Sequence, residues 1–102
     1  MTDPASPLSI TLTDNGLAVA GEIDAHSAPA LAAAIVAAAE LEPLVLDLAD
    51  VGFIDSSGLR VLIETHQARL GEGRTLTLTR PSRAVSRLFE VAGVAGYLDI
   101  GD

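Results

Sequence analysis

Leu44-Val45-Leu46-Asp47-Leu48 constrains this chain more than any other stretch. Alternate side chains of a strand point to opposite faces, so an apolar run with a single polar interruption does not suit a strand with one wetted side. Such a run belongs to a strand that is centrally placed or covered on both sides. Pro43, just upstream, stops any helix that precedes it. The rest of the chain must supply neighbouring strands and amphipathic helices to cover this one.

Both are legible. Leu8, Ile10 and Leu12 alternate with Ser9, Thr11 and Thr13, the two-residue period of a half-buried strand. Asp14-Asn15-Gly16 tolerates positive φ and predicts a hairpin to the partner strand LAVAGEI. A short polar connection, Asp24-Ala25-His26, leads to Ser27, a good N-cap with Pro29 in the first turn. The helix APALAAAIVAAAE follows, with Leu31, Ile35 and Ala38 as its buried stripe and alanines that let it sit close to a sheet.

Beyond the central strand, Ala49 to Ile54 reads as a loop. A second helix then carries Leu59, Leu62, Ile63, His66 and Leu70 inward and Arg60, Glu64 and Gln67 outward, ending at Gly71 and Gly73. RTLTLT alternates as a strand. PSRAVSRLFEVAG predicts a third helix capped by Ser82, with Val85, Leu88, Phe89 and Ala92 inside and Gly93 as its stop. The tail VAGYLDI offers a last short strand. The order β-β-α-β-α-β-α predicts an α/β fold: a small mixed sheet with amphipathic helices mainly on one face. With no internal repeat and no long linker, residues 1–102 read as one domain.

Composition narrows the function. Hydrophobic residues make up 49% of the 102, enough for one core, but only Phe53, Phe89 and Tyr97 are aromatic, so the core is built from small side chains in close layers. Six basic against fourteen acidic residues give a formal charge of -8, which disfavours nucleic acid and anionic membrane surfaces. Without cysteine there is neither a disulfide framework nor thiolate chemistry. The N-terminus MTDPASPLS lacks the basic start and apolar run of a signal peptide, and no apolar segment reaches roughly 18 residues. The expectation is a soluble cytoplasmic protein.

Chemistry concentrates in Asp55-Ser56-Ser57-Gly58, where the chain leaves the sheet and enters the second helix. One hydroxyl or carboxylate of this group should cap the exposed backbone N–H groups. A phosphate on a serine here meets free N–H donors and the positive end of the helix dipole, so modification need not unfold the domain. It changes the surface instead, adding roughly 1.5 to 2 negative charges beside Asp55. An enzyme in its own right is disfavoured: a serine nucleophile needs a base, the only histidines are His26 and His66, and the motif is not G-x-S-x-G. His66 falls on the buried stripe. Neither a Gly-rich phosphate loop nor a convincing metal spacing is present, so no cofactor is expected.

Three stretches carry a family resemblance: Gly21-Glu22-Ile23-Asp24, LVLDLADVGFIDSSGLRVL from Leu44 to Leu62, and SRAVSRLFEVAG from Ser82 to Gly93. In order and spacing they resemble the STAS domains of bacterial anti-sigma factor antagonists. The resemblance implies a partner switch. The unphosphorylated antagonist binds an anti-sigma factor serine kinase of the histidine-kinase-like ATPase fold and frees a sigma factor. That kinase, which supplies the ATP, phosphorylates Ser56 and switches binding off; a metal-dependent serine phosphatase reverses it. Ser57 carries over as a helix-start and interface residue, Asp55 as an orienting surface acid, and Asp24 as part of the neighbouring binding face. Gly58 completes the motif; His26 is added to the binding set because it lies in the same loop as Asp24, not because the resemblance carries it. A STAS subunit that binds a transporter ATPase, or another regulatory module that works without phosphorylation, is the alternative.

Overall fold

The computed structural model describes residues 8–101, so the first seven residues of the MTDPASPLS segment lie outside the described residues. Strands β1 (Ser9–Leu12), β2 (Gly16–Ile23), β3 (Leu44–Ile54) and β4 (Leu76–Thr79) alternate with helices α1 (Ala28–Ala37), α2 (Ser56–Gly71) and α3 (Arg83–Ala92) in the expected order. The sheet runs β1-β2-β3-β4, antiparallel between β1 and β2 and parallel thereafter. The apolar run thus lies between two parallel partners, where every backbone group of the strand can be paired. Leu44, Leu46 and Leu48 are buried under the helices, joining Leu31 and Ile35 of α1, Leu62 of α2, and Val85 and Phe89 of α3 in one cluster. Val45 and Asp47 face the opposite, partly open side.

The hairpin forms without using positive φ: of Asp14, Asn15 and Gly16 none adopts it, and the turn closes by Thr13 N donating to the Gly16 carbonyl at 2.8 Å. Gly16 has a different reason to be glycine. A Cβ there would stand 1.8 Å from the carbonyl oxygen of Val45 on the adjacent strand. Leu12, expected to be half-buried, is exposed.

The largest correction concerns residues 49–54, which are strand and not loop. β3 continues to Ile54 and pairs with β2 through Asp50, Val51, Phe53 and Ile54. β4 has already ended opposite Asp47, so this extension has one partner only. Register shifts between Ala18 and Ala20 and between Gly21 and Glu22 place Val51 and Ile54, three apart, both in the core. A three-residue interval conceals a strand from any search for strict alternation.

Helix α1 ends at Ala37, three residues short of the expected Glu40, and Ser27 provides no side-chain cap. On α2 the buried stripe is Gly58, Leu59, Leu62, His66 and Arg69, whereas Leu70 is 56% exposed. Arg69 takes the inner position because carbonyls await it there. Its Nε donates to the Thr75 carbonyl at 3.0 Å, its NH2 to the Leu41 carbonyl and to Glu42 Oε1 at 3.1 Å, and its NH1 to the Ala39 carbonyl at 3.4 Å. A guanidinium making four hydrogen bonds is tolerated at 5% exposure. His66 is buried as expected, but its Nδ1 has no hydrogen-bond partner among the described residues, and its ring stands edge-on to Tyr97 at 4.9 Å between centroids.

On α3, Ser82 and Gly93 hold the two ends. Ser82 Oγ accepts from Val85 N at 3.2 Å and donates to the Val51 carbonyl at 2.6 Å, tying the helix start to β3. Gly93 takes the left-handed conformation, φ 75°, that closes a helix without a Cβ penalty. Ala92, expected inside, is exposed, and Leu88 is half-buried. The tail forms a single bridge, Leu78 to Ile100, in place of a strand.

Candidate functional site

Because β3 runs to Ile54, no loop separates the sheet from α2. Asp55 N donates to the Ile23 carbonyl at 3.1 Å, fastening the entry to the adjacent strand, and Asp55 is itself the N-cap. Its Oδ1 accepts from Ser57 N at 2.8 Å and from Gly58 N at 3.3 Å. Capping therefore falls to the carboxylate and not to a serine hydroxyl.

That division of labour decides what the two serines are free to do. Ser56 is the first residue of α2 and is exposed; Ser57 is half-buried. Neither hydroxyl has a hydrogen-bond partner among the described residues. Gly58 is buried, and a Cβ on it would lie 2.5 Å from Cγ2 of Ile23 and 2.9 Å from Cγ1 of Ile54. The glycine lets the first turn of α2 lie directly on the core.

Asp24 and His26 sit in the turn between β2 and α1. The Asp24 carboxylate faces its own turn: Oδ1 accepts from Ser27 N at 2.9 Å, His26 N at 3.0 Å and Ser27 Oγ at 3.1 Å. The Ser27 backbone bond, followed by the other Ser27 and His26 contacts, holds Asp24 below its ordinary carboxylate pKa despite some desolvation. The single Ser27 hydroxyl proton is shared between Asp24 Oδ1 and the Glu22 carbonyl, the latter closer at 2.8 Å, so Ser27 stitches the turn and Asp24 organises it. His26 is exposed, and its side chain forms no hydrogen bond with Ser56 among the described residues.

The two segments meet across an open groove of about 520 Å³, lined by Ala25, Pro29 and Ala32 on one wall and Ser56, Ser57, Arg60 and Val61 on the other. Of the sequence-predicted residues Ser56 and Ser57 line this groove; Asp24 and His26 adjoin its Ala25 in the chain, while Asp55 caps the helix and Gly58 packs on Ile23 and Ile54. Arg60, legible in the sequence only as an outward residue, also lines the groove; the signal was its four-residue spacing from Ser56. Among the described residues no group of three or more His, Asp or Glu is placed to hold a metal, and no helix is long and apolar enough to cross a membrane.

The profile of a family described as "Mlab, STAS domain" matches residues 8–100. An anti-sigma-B factor antagonist of Bacillus subtilis is 39% identical over 83 residues, covering 80% of this chain and 76% of that relative. Among solved structures, an anti-sigma factor antagonist from Mycobacterium paratuberculosis is 30% identical, with a TM-score of 0.77 over 98% of this chain and 89% of its own. SpoIIAA in its unphosphorylated form shares the fold at 18% identity, with a TM-score of 0.71 over 93% of this chain and 88% of its own. With the family profile spanning nearly all described residues, the chain belongs to the STAS domain proteins of the anti-sigma factor antagonist family.

Proposed function

We propose that this protein is an anti-sigma factor antagonist switched by phosphorylation at Ser56. The observation that carries the reading is the Ser56 hydroxyl: exposed, without a hydrogen-bond partner among the described residues, and at the first position of a helix whose cap is already supplied by Asp55. A kinase can reach it without opening the core. In the transfer, Ser56 Oγ forms a bond to the γ-phosphorus of the kinase's ATP, the bond from that phosphorus to the bridging oxygen breaks, and ADP leaves. The hydroxyl proton passes to a base of the kinase, since neither histidine of this chain hydrogen-bonds Ser56 among the described residues.

Unmodified, the surface of Asp24, His26, Asp55, Ser56 and Ser57 docks on the kinase and releases the sigma factor held there. Modified, it carries roughly 1.5 to 2 further negative charges on a chain of formal charge -8. Like-charge juxtaposition costs several kcal/mol, and about 1.4 kcal/mol is a decade, so affinity falls by about two decades or more. A metal-dependent phosphatase restores the serine by hydrolysis. In this reading the chain is cytoplasmic, binds no cofactor, forms one domain and catalyses nothing itself.

The test is incubation with ATP and the cognate kinase, followed by mass measurement of the tryptic peptide containing Ser56. One added phosphate, lost in Ser56→Ala, is expected; Ser56→Asp should bind the kinase poorly while keeping a native circular dichroism spectrum. Absence of modification by any cognate kinase, with stable binding to a transporter ATPase instead, would refute the switch and establish the alternative.

A further inference from the structure

Arg60 lies one helical turn beyond Ser56, on the same wall of the groove. Residues four apart on a helix are surface neighbours. The Arg60 guanidinium is 78% exposed, and its contact is with Glu64, one further turn along, at 3.8 Å from Nε to Oε2. This is a long, exposed ion pair of the kind that contributes little and yields easily. Its polarity is also the weaker one, since an acid stabilises a helix more when it precedes its basic partner by four residues than when it follows.

A phosphate on Ser56 reverses each of these disadvantages. It precedes Arg60 by four residues, carries more charge than Glu64, and offers three acceptor oxygens to a planar fork of donors. We propose that phosphorylation of Ser56 transfers Arg60 from Glu64 to the phosphate, so that the modified serine is clamped along α2 and Glu64 is released as a free charge. This rests on Ser56 being the modified residue. The switch then alters two places on the surface: a bulky dianion closes the end of the groove, and an unpaired carboxylate appears one turn beyond Arg60. An aspartate at position 56 is shorter and carries one charge, so it reproduces the repulsion but not the clamp.

The experiment uses full-length protein with phosphoserine installed at position 56 during synthesis, titrated by phosphorus NMR. The ionisable neighbours to be separated are Asp55 at the N-cap, Arg60 and Glu64 on α2, and Asp24 and His26 on the turn between β2 and α1. The second ionisation of the phosphate, ordinarily near pH 6, should lie lower in the wild-type background and rise by about half a unit in R60Q. E64Q should lower it further, and this effect should shrink in R60Q/E64Q, because Glu64 acts by competing for Arg60. An unchanged ionisation in R60Q, an E64Q effect independent of Arg60, or a rise in H26Q equal to that in R60Q overturns the clamp. Because no kinase is involved, failure here leaves the kinase assay standing, and failure of the kinase assay leaves this pairing testable.

Discussion

Gly58 and Gly71 lie on the same helix, and substituting alanine at each should change stability in opposite directions. Alanine is the better helix former by up to about 1 kcal/mol in a helix interior. At Gly71 nothing lies within 4 Å of the added Cβ, so the propensity gain stands alone and amounts to about 0.5 kcal/mol at an exposed last turn. At Gly58 the Cβ would stand 2.5 Å from Ile23 Cγ2, 3.1 Å from Ile23 Cβ and 2.9 Å from Ile54 Cγ1. Neither isoleucine can give way cheaply: Cγ2 is one bond from the Ile23 backbone branch, and Ile23 is completely buried in β2. Overpacking of this kind costs about 1 to 3 kcal/mol, which exceeds the propensity gain. With a propensity gain of about 0.5 kcal/mol in the first turn, the net loss in Gly58→Ala is about 0.5 to 2.5 kcal/mol, a fall in melting temperature of about 2 to 20 °C for a domain of this size. Thermal and urea unfolding monitored by circular dichroism reads both variants, and Gly58→Val, which adds a branch at the same point, should fall further. If Gly58→Ala melts above the wild type, the glycine is not set by packing on Ile23 and Ile54.

Asp55→Ala should lose about 1 kcal/mol by removing the acceptor for Ser57 N and Gly58 N, while Asp55→Asn, which keeps an oxygen there, should lose far less; thermal melts distinguish them. Arg69→Ala leaves the Thr75, Leu41 and Ala39 carbonyls without their shared donor and should cost about 2 to 4 kcal/mol in urea unfolding; Arg69→Lys should recover only part, since an ammonium cannot span that fork. Asp24, Glu42 and Asp47 are all held below their ordinary carboxylate values, by Ser27, by Thr75 and by Arg80 respectively. Groups lowered by folding stabilise above the unfolded pKa and lose that contribution as pH falls through the folded one. The urea midpoint should thus be steady above about pH 5 and decline below about pH 4, with a shallower decline in Asp24→Asn.

The element order was readable because each element carries its own punctuation: Pro43 before β3, Gly93 in a left-handed cap, Ser82 bonded to Val85 N. What escaped was set by neighbours and not by local pattern. β3 extends past Leu48 because β2 is long enough to pair with it, and the shifted register turns an alternating signal into Val51 and Ile54, three apart. Arg69 holds the buried place expected for Leu70 because the carbonyls of Ala39 and Leu41, before β3, and of Thr75, before β4, come from two separate segments that only the folded chain assembles into a site for a guanidinium. A charged side chain without such partners would stay in solvent.

The D-S-S-G stretch was legible as a unit, yet composition could not say which of its oxygens caps the helix. The distinction matters because a serine that caps has its oxygen engaged by backbone N–H groups, and esterifying it disturbs the helix start. Here Asp55 takes both N–H groups, Gly58 leaves the first turn room to lie on Ile23 and Ile54, and Ser56 is left facing solvent. Each position does one thing, so a group added at Ser56 falls outside the bonds that hold α2 in place. The entry is fastened by Asp55 N to the Ile23 carbonyl, a bond that uses no serine oxygen, so the turn bearing Asp24 and His26 is expected to keep its position when Ser56 is modified. In Ser56→Asp, which lacks the Arg60 clamp, a partner then meets nearly the same shape as in the wild type, and charge separates the two. Raising the ionic strength should consequently narrow the difference in kinase affinity between the wild type and Ser56→Asp, because exposed charges more than about 10 Å apart are screened at 0.1 M salt. A difference that does not change between low and high salt would mean that shape, and not charge, performs the discrimination.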